Sequence, residues 1–150
     1  MGAFALKVAE FARKAKGGMH QIVRDGLVDV GSRLVYRTPV GNPLAWGRPA
    51  PPGYVPGQAR GGWAHSTGQP ASGVRGALDA DGGGTVSAMR ASIGERPGGK
   101  IHYFTNNVPY MPELERGYSK QAPLGIVAVT RIESVGIIYD AAARWRASNG

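Results

Sequence analysis

Residues 103–125 read YFTNNVPYMPELERGYSKQAPLG, and this stretch decides the fold. It continues a run at 100–105 that is rich in β-forming side chains, so we predict a strand that ends at the Asn-Asn pair. A short helix around Leu114 follows and ends at Gly117. We expect Pro123 to open the last helix. Polar groups held in place by turns are typical of recognition surfaces, because loops carry many binding residues.

Two long helices are predicted on either side of this stretch. Over residues 3–36, apolar side chains recur at steps of three and four, which indicates one face of a helix about 45–50 Å long. It is either an ordinary core-facing helix or one whose end packs on a neighbouring subunit. Gly17-Gly18 is a weak point for a bend or a break, since each helical Gly costs about 1 kcal/mol relative to Ala. Residues 123–146 repeat the spacing, with apolar positions at Ala128, Ile132, Val135, Tyr139 and Ala142.

Shorter elements are predicted in the middle of the chain. Residues 58–67 predict a strand that places Trp63 and His65 on one face. Val86, Met89 and Ile93 follow at steps of three and four, which favours a short helix, with a strand as the competing interpretation. The expected N-cap of this helix is Thr85.

Long loops are expected because the chain holds 24 Gly and 11 Pro. Residues 41–58 contain too many prolines for a central strand or helix, and their two aromatic residues favour a loop that docks on a partner. Residues 68–84 are predicted to be a mobile loop. Asp79 begins a segment similar to a calcium loop, but its twelfth position is Arg90 rather than Glu, so calcium binding is not expected.

These elements predict a single α+β domain over residues 1–150. A long N-terminal helix and a C-terminal helix would pack on a small, mostly antiparallel sheet. The chain has 150 residues and a hydrophobic fraction of 42%, which is enough for a real core.

The formal net charge is +8, from 18 Lys and Arg against 10 Asp and Glu. A basic balance favours nucleic acid, an anionic membrane or acidic proteins as partners, or is simply a solvated surface. The surplus is spread along the chain without a basic run, so a dedicated nucleic-acid-binding module is the less favoured interpretation.

Cysteine is absent, which excludes disulfides and thiolate chemistry. No apolar run approaches the roughly 20 residues that cross a bilayer. The N-terminus lacks the pattern of a secretory signal, so we expect synthesis in the cytoplasm and no membrane partner.

No pattern of catalysis is found. The three histidines, His20, His65 and His102, lie far apart in sequence without metal-ligand spacing, so no metal is expected. Glu113 and Glu115 are two apart and would not face each other on a helix. Nucleophile-elbow, phosphate-loop and dinucleotide motifs are also missing. We therefore predict a protein that is not an enzyme and has no cofactor.

Recognition of other proteins is the remaining interpretation, with the alternative that these polar residues only cap and solubilise two helices. Aromatic residues with polar tips and mixed charges are typical of interfaces. The predicted protein-interface residues are Trp46, Tyr54, Trp63, Asn106, Asn107, Tyr110, Glu115, Arg116, Tyr118, Lys120 and Gln121.

The order of motifs resembles the neck, or tail-component, family of long-tailed bacteriophages. Arg37-Thr38-Pro39-Val40 and the later Gly61-Gly62-Trp63 are similar to that family's R-T-P-V-D-T-G-R-L-R-x-x-W pattern. Residues 106–125 are similar almost throughout to its N-N-x-P-Y-A-x-x-L-E-x-G-x-S-x-Q-A-P-x-G pattern. Gly41-Asn42-Pro43 replaces the usual Asp-Thr-Gly, and residues 44–58 look like an insertion.

The resemblance implies a structural virion protein made in the bacterial host cytoplasm. It would be a ring component at the head–tail junction that helps attach the tail to the DNA-filled head. Alternatives are a tail terminator at the top of the tail tube or a basic nucleic-acid-binding module. Implied partners are the connector, stopper or terminator rings, further copies of the chain in a homo-oligomeric ring, and DNA in transit. The family implies no catalysis or cofactor.

Overall fold

A computed structural model describes residues 3–41, 49–50 and 52–150. Within these ranges the chain forms five helices and a two-stranded antiparallel sheet, which confirms the predicted α+β class. The elements are α1 (Ala3–Arg37), α2 (Gln58–Gly61), β1 (Trp63–Thr67), α3 (Gly83–Ile93), β2 (His102–Asn106), α4 (Met111–Glu115) and α5 (Val127–Asn149).

Helices α1 and α5 pack along each other, and glycines on α1 permit the close approach. The Trp145 ring lies 2.3 Å from the place where a Cβ on Gly18 would stand, and Ile138 lies equally close to the corresponding place on Gly26. α1 continues through Gly17-Gly18 as one helix, so the helix does not break at this weak point. Trp145 occupies the space beside Gly18, which leaves no room for a side chain there.

The two strands pair from Trp63 opposite Asn106 to Thr67 opposite His102. α3 packs on α1 and on β1. The strand predicted over residues 58–67 is correct only in its second half, because residues 58–61 form the helical turn α2.

One cluster of buried side chains joins α1, the sheet, α3 and the 108–126 segment. Complete burial of one large apolar side chain contributes about 1.5–3 kcal/mol, so this cluster is the main stabilising element. Its members are Leu34, Val35, Ala59, Trp63, Met89, Val108, Tyr110, Met111, Leu114, Ala122 and Ile126.

The helix predicted after Thr85 exists, but its capping differs from the prediction. Gly82 is the N-cap, with φ of 86°, and Thr85 already lies inside α3. The Asp79 carboxylate accepts hydrogen bonds from the amides of Gly82 and Thr85 and from the Thr85 hydroxyl, at 2.7–2.9 Å. The Thr85 hydroxyl bond in particular lowers the pKa of Asp79. The loop before α3 is therefore tied to the helix it precedes.

The last helix begins at Val127, so the prediction that Pro123 opens it is wrong. Residues 120–126 form a turn-rich connection in which Gly125 has φ of 89°, a left-handed conformation that glycine adopts without strain. No helix among the described residues is both long and apolar enough to span a membrane.

Candidate interaction surface

The two asparagines after β2 join that strand to other parts of the chain. Asn106 donates from Nδ2 to the Ala59 carbonyl at 2.7 Å, and its Oδ1 accepts the amide of Val108 at 3.2 Å. Asn107 donates from Nδ2 to the carbonyls of residues 71 and 73, at 3.0 and 2.9 Å. Together they hold the strand end against α2 and against the 68–82 loop.

Trp63 and Tyr110 were predicted to contact a partner, but the fold buries both of them, with 3% and 4% exposure. The Trp63 indole donates to the Thr38 hydroxyl at 2.8 Å, and that hydroxyl donates to the Leu34 carbonyl. The Tyr110 hydroxyl lies 3.3 Å from the Val55 carbonyl, and burial raises the pKa of Tyr110. Within one chain, these two aromatics are therefore core residues that hold α1 and the 52–58 segment in place.

Glu115 forms the cap of α5. Its Oε2 accepts the amides of Ile126 and Val127 at 2.8 and 2.9 Å, and its Oε1 accepts the amide of Ala128 at 2.9 Å. The first amides of a helix have no partner within the helix, and a carboxylate there also interacts favourably with the helix dipole. The carboxylate from α4 therefore sets where α5 begins, in place of Pro123.

The remaining predicted interface residues lie nearer the surface. Gln121 is exposed, although its Nε2 donates to the Val40 carbonyl at 3.1 Å. The Tyr118 hydroxyl donates to the Pro49 carbonyl, and Tyr54 is half-buried with its ring 5.2 Å from that of Tyr110. Trp46 lies outside the described residues. The exposed members of the predicted set are Asn107, Arg116, Lys120 and Gln121.

A larger candidate surface lies on α5. We call it the α5 stripe, and it consists of Ala128, Ile132, Val135, Gly136, Tyr139 and Ala143. The exposed fractions of its large side chains are 82% for Ile132, 63% for Val135 and 69% for Tyr139. α5 instead turns Thr130, Ile137 and Ala141 inward. The apolar spacing that predicted this helix therefore belongs largely to its solvent-facing side.

Polar contacts fix which side of α5 meets α1. Arg37 donates to both Glu133 carboxylate oxygens and to the Thr130 hydroxyl, at 2.8–3.1 Å. Arg33 also pairs with Glu133, and nearer the end of α5 Arg144 pairs with Asp29. Surface ion pairs each contribute about 0–1 kcal/mol, so their main effect here is to orient the helix.

The sheet brings together two histidines that sequence spacing did not connect. His65 Nε2 lies 2.9 Å from His102 Nδ1, His65 Nδ1 lies 2.7 Å from the Ser92 hydroxyl, and His102 Nε2 lies 2.8 Å from the Pro97 carbonyl. A carbonyl only accepts, so His102 Nε2 donates to Pro97 and, in the neutral ring, His102 Nδ1 is an acceptor. His65 Nε2 therefore donates to His102 Nδ1, and the Ser92 hydroxyl donates to His65 Nδ1. Burial first, and then His102, lowers the pKa of His65.

This chain of bonds ties β1, β2 and the end of α3 together. Among the described residues no group of three or more His, Cys, Asp or Glu side chains could hold a metal ion. Only the antiparallel register, in which His65 lies two positions from the partner of His102, explains the contact. Sequence spacing alone carries no signal for it.

Comparison of the chain with models of protein families, with curated proteins and with solved structures finds no match.

Proposed function

We propose that this chain is a structural virion protein of a tailed phage, a ring component at the head–tail junction that helps attach the tail to the DNA-filled head. The observation that carries the proposal is the role of residues 106–125 within the fold. Asn106, Tyr110 and Glu115 each bond to a different part of the chain. The sequence pattern that resembles phage neck proteins is therefore a pattern of fold-determining residues.

Two further positions of the pattern have an equally definite structural role. Gly117 has φ of 84°, and a Cβ there would stand 2.3 Å from the Pro123 carbonyl oxygen. Ser119 is buried, and its hydroxyl accepts the amide of Gln121 at 3.2 Å. A chain that keeps these residues at this spacing can make the same turn between α4 and α5. The resemblance thus falls on residues that shape this turn, and the sequence resemblance itself supports the proposed role.

The surface of the chain suits a protein that acts by packing against others. The α5 stripe exposes three large apolar side chains on one helix face, and such patches often mark protein interfaces. Arg116 and Lys120 are exposed on the turn between α4 and α5. The whole chain has a net charge of +8, and these two basic side chains are suited to an acidic neighbouring protein or to DNA in transit.

The test is genetic and structural. A phage that lacks this protein should produce DNA-filled heads and separate tails under the electron microscope, and supplying the protein should restore joining. Overlong tails would instead favour the tail-terminator alternative, because a terminator stops growth of the tube. Normal joined particles in its absence would contradict both structural roles.

A charge variant makes the test specific to the turn. Arg116→Ala with Lys120→Ala should leave a folded protein that restores joining at least about tenfold less well, since contacts to an acidic partner typically contribute a few kcal/mol together. Arg96→Ala with Lys100→Ala is the matched control, because both residues are exposed and the charge change is equal. Equal restoration by the two double variants would show that the turn is not the contact.

The nucleic-acid-binding module is the alternative that the basic charge supports. It predicts binding to a short DNA duplex that weakens steeply between about 50 and 200 mM salt. Fluorescence anisotropy measures this directly. Strong binding combined with normal particle joining in the deletion phage would favour the module over the structural role.

A further inference from the structure

Two of the three histidines hold the same turn, which joins α3 to β2 over residues 94–101. His20, on α1, accepts the amide of Gly98 through Nδ1 at 3.0 Å. His102, at the start of β2, donates from Nε2 to the carbonyl of Pro97 at 2.8 Å. Adjacent residues of one turn are therefore held by imidazole rings on two different elements.

The state of the His20 ring is fixed by its partner. A backbone amide only donates, so Nδ1 of His20 is the unprotonated nitrogen of the ring. A proton added there replaces the acceptor with an N–H that points at the Gly98 amide. The ring is buried, with 7% exposure, and its Nδ1 lies 2.9 Å from the place where a Cβ on Gly98 would stand. The contact between α1 and the turn therefore requires a neutral ring.

The charges around His20 disfavour an added proton. Three charged groups act on the ring, and all of them are cations. They are Arg96 and Lys100 on the turn and Lys16 on α1. Among the described residues no ion pair joins a histidine to a carboxylate. Burial first, and then these cations, lower the pKa of His20, because both disfavour the charged ring.

The sheet side of the turn responds differently to acid. A proton added at His65 Nδ1 lets the proton of His65 Nε2 pass to His102 Nδ1. His102 then carries the charge and two N–H groups, so its Nε2 still donates to Pro97. His65 in turn donates from Nδ1 to the Ser92 oxygen, and the Ser92 hydroxyl donates to the His65 carbonyl, 3.2 Å away. The bond between the turn and the sheet thus survives one added proton, whereas the bond to α1 does not.

We infer that His20 is a pH-sensitive contact that closes the 94–101 turn onto α1 near neutral pH and lets it open in mild acid, while His102 keeps Pro97 on the sheet. In the open turn His20 has the ordinary pKa near 6.5, and burial in the closed turn lowers this value. The open form therefore binds more protons below that pH. Opening is favoured progressively as pH falls below 6.5 and is disfavoured above it.

Other anchors confine the opening to a few residues. Arg24 on α1 donates from Nε to the Gly94 carbonyl at 2.9 Å, and the Gly68 amide donates to the Ile101 carbonyl at 3.0 Å. Neither bond involves a group that titrates between pH 5 and 8. Residues 95–100 are therefore the part that opens. Opening exposes a buried imidazole and adds a fourth positive charge beside three cations, and the inference does not rest on the proposed virion role.

Hydrogen exchange at the Gly98 amide tests the opening. Its rate, divided by the rate of an unfolded peptide at the same pH, should rise by up to about thirtyfold between pH 7.5 and 5.0, which is the limit for one proton on a group of pKa 6.5. A rise below about threefold would overturn the inference. At pH 5.0 the core amide of Val35 should stay at least about tenfold more protected than Gly98, because the opening is local. Equal protection of the two amides would show global unfolding instead and would also overturn it.

Two variants of His20 separate the proton from the hydrogen bond. The side-chain oxygen of Asn branches from the same carbon as Nδ1 of His, so His20→Asn can accept the Gly98 amide but takes up no proton. Exchange at Gly98 should then be slow and its corrected rate independent of pH. His20→Gln places its oxygen one bond further out, so exchange should be fast at both pH values. Wild-type pH dependence in His20→Asn, or slow exchange in His20→Gln, would overturn the inference; circular dichroism at pH 7.5 checks that both variants fold.

Titration of the wild-type protein followed by NMR needs no variant. The Cε1 proton of His20 should titrate with a midpoint below the usual value near 6.5, and the Gly98 amide resonance should shift with the same midpoint. A His20 midpoint at or above 6.5, or a Gly98 resonance that does not follow it, would show that this ring does not control the turn.

Discussion

Replacement of Glu115 should reveal how strongly one carboxylate holds the last helix. Glu115 accepts three amides of the first turn of α5 at 2.8–2.9 Å. Loss of an ordinary N-cap side chain costs about 0.5–2 kcal/mol, and the helix dipole adds about 0.3–1 kcal/mol for a charged acceptor. Because three donors lose their partner at once, we expect Glu115→Ala to lower the free energy of unfolding by about 2–4 kcal/mol.

Glu115→Gln should fall between the wild type and Glu115→Ala, at about 1–3 kcal/mol, because its amide keeps one accepting oxygen and loses the charge. Urea unfolding followed by circular dichroism gives these free energies. Amide hydrogen exchange should also quicken at Ile126, Val127 and Ala128 in both variants. Both the loss of unfolding free energy and the increase in exchange rate should be largest in Glu115→Ala and smaller in Glu115→Gln, each relative to the wild type.

The matched control is Glu113→Gln, because Glu113 lies on the same short helix, is exposed and has no side-chain hydrogen-bond partner among the described residues. It should change the free energy of unfolding by no more than about 0.5 kcal/mol. If Glu115→Ala also stays within that range, the cap does not hold α5, and the reasoning that places the start of the helix at Glu115 is refuted.

Two further predictions concern α1 and the histidine pair. Gly17→Ala should stabilise the fold by up to about 1 kcal/mol, since nothing lies near its added methyl group. Gly18→Ala should destabilise the fold by about 1–3 kcal/mol because Trp145 fills that space. The thermal unfolding midpoints of the two variants should shift in opposite directions, and a shift in the same direction would contradict the packing of Trp145 on Gly18. The pKa of His65 is lowered below its usual value near 6.5 by burial and by His102, so the unfolded chain binds more protons below that pH. Stability should therefore fall as pH drops through 6.5, and His65→Gln should flatten this dependence in urea midpoints measured at pH 7.5 and 5.5; an equal slope in both proteins would show that His65 is not responsible.

The helices were predictable because their signal is local. Apolar residues at steps of three and four identify α1, α3 and α5 without any knowledge of their neighbours. The starts of α3 and α5 were not predictable in the same way. Asp79 accepts the amide of Thr85, six residues later, and Glu115 accepts the amide of Ile126, eleven residues later. Thr85 and Pro123 lie nearer to the two helix starts, but neither of them begins its helix.

The local sequence pattern also does not show which side of α5 packs against α1. Spacing identifies a face but does not say what covers it. α1 offers arginines and glycines, so it meets the side of α5 that carries Thr130, Glu133 and Ile137 and leaves the more apolar side in water. Likewise, the contact between His65 and His102 depends on a sheet register that joins residues 37 apart.

The predicted interface residues are where the structure differs most from the sequence-based interpretation. Trp63 and Tyr110 were chosen for the large area and polar tip that interface aromatics share. Buried core aromatics have the same two properties when a hydrogen-bond partner is within reach, so residue type alone does not separate the two roles. Contact with a partner through Arg116 and Lys120 stays a prediction.

Occupation of the first turn of α5 by a carboxylate also bears on the proposed contact with DNA in transit. Free helix starts hold phosphate groups through their amides and dipole. In α5 the amides of Ile126, Val127 and Ala128 already bind Glu115, so they are not free to bind a phosphate, and a negative charge stands beside them. Attraction to DNA would then depend on exposed Lys and Arg side chains, whose contacts to phosphates carry no sequence information. In the proposed role at the head–tail junction, this end of α5 would therefore not hold DNA in transit.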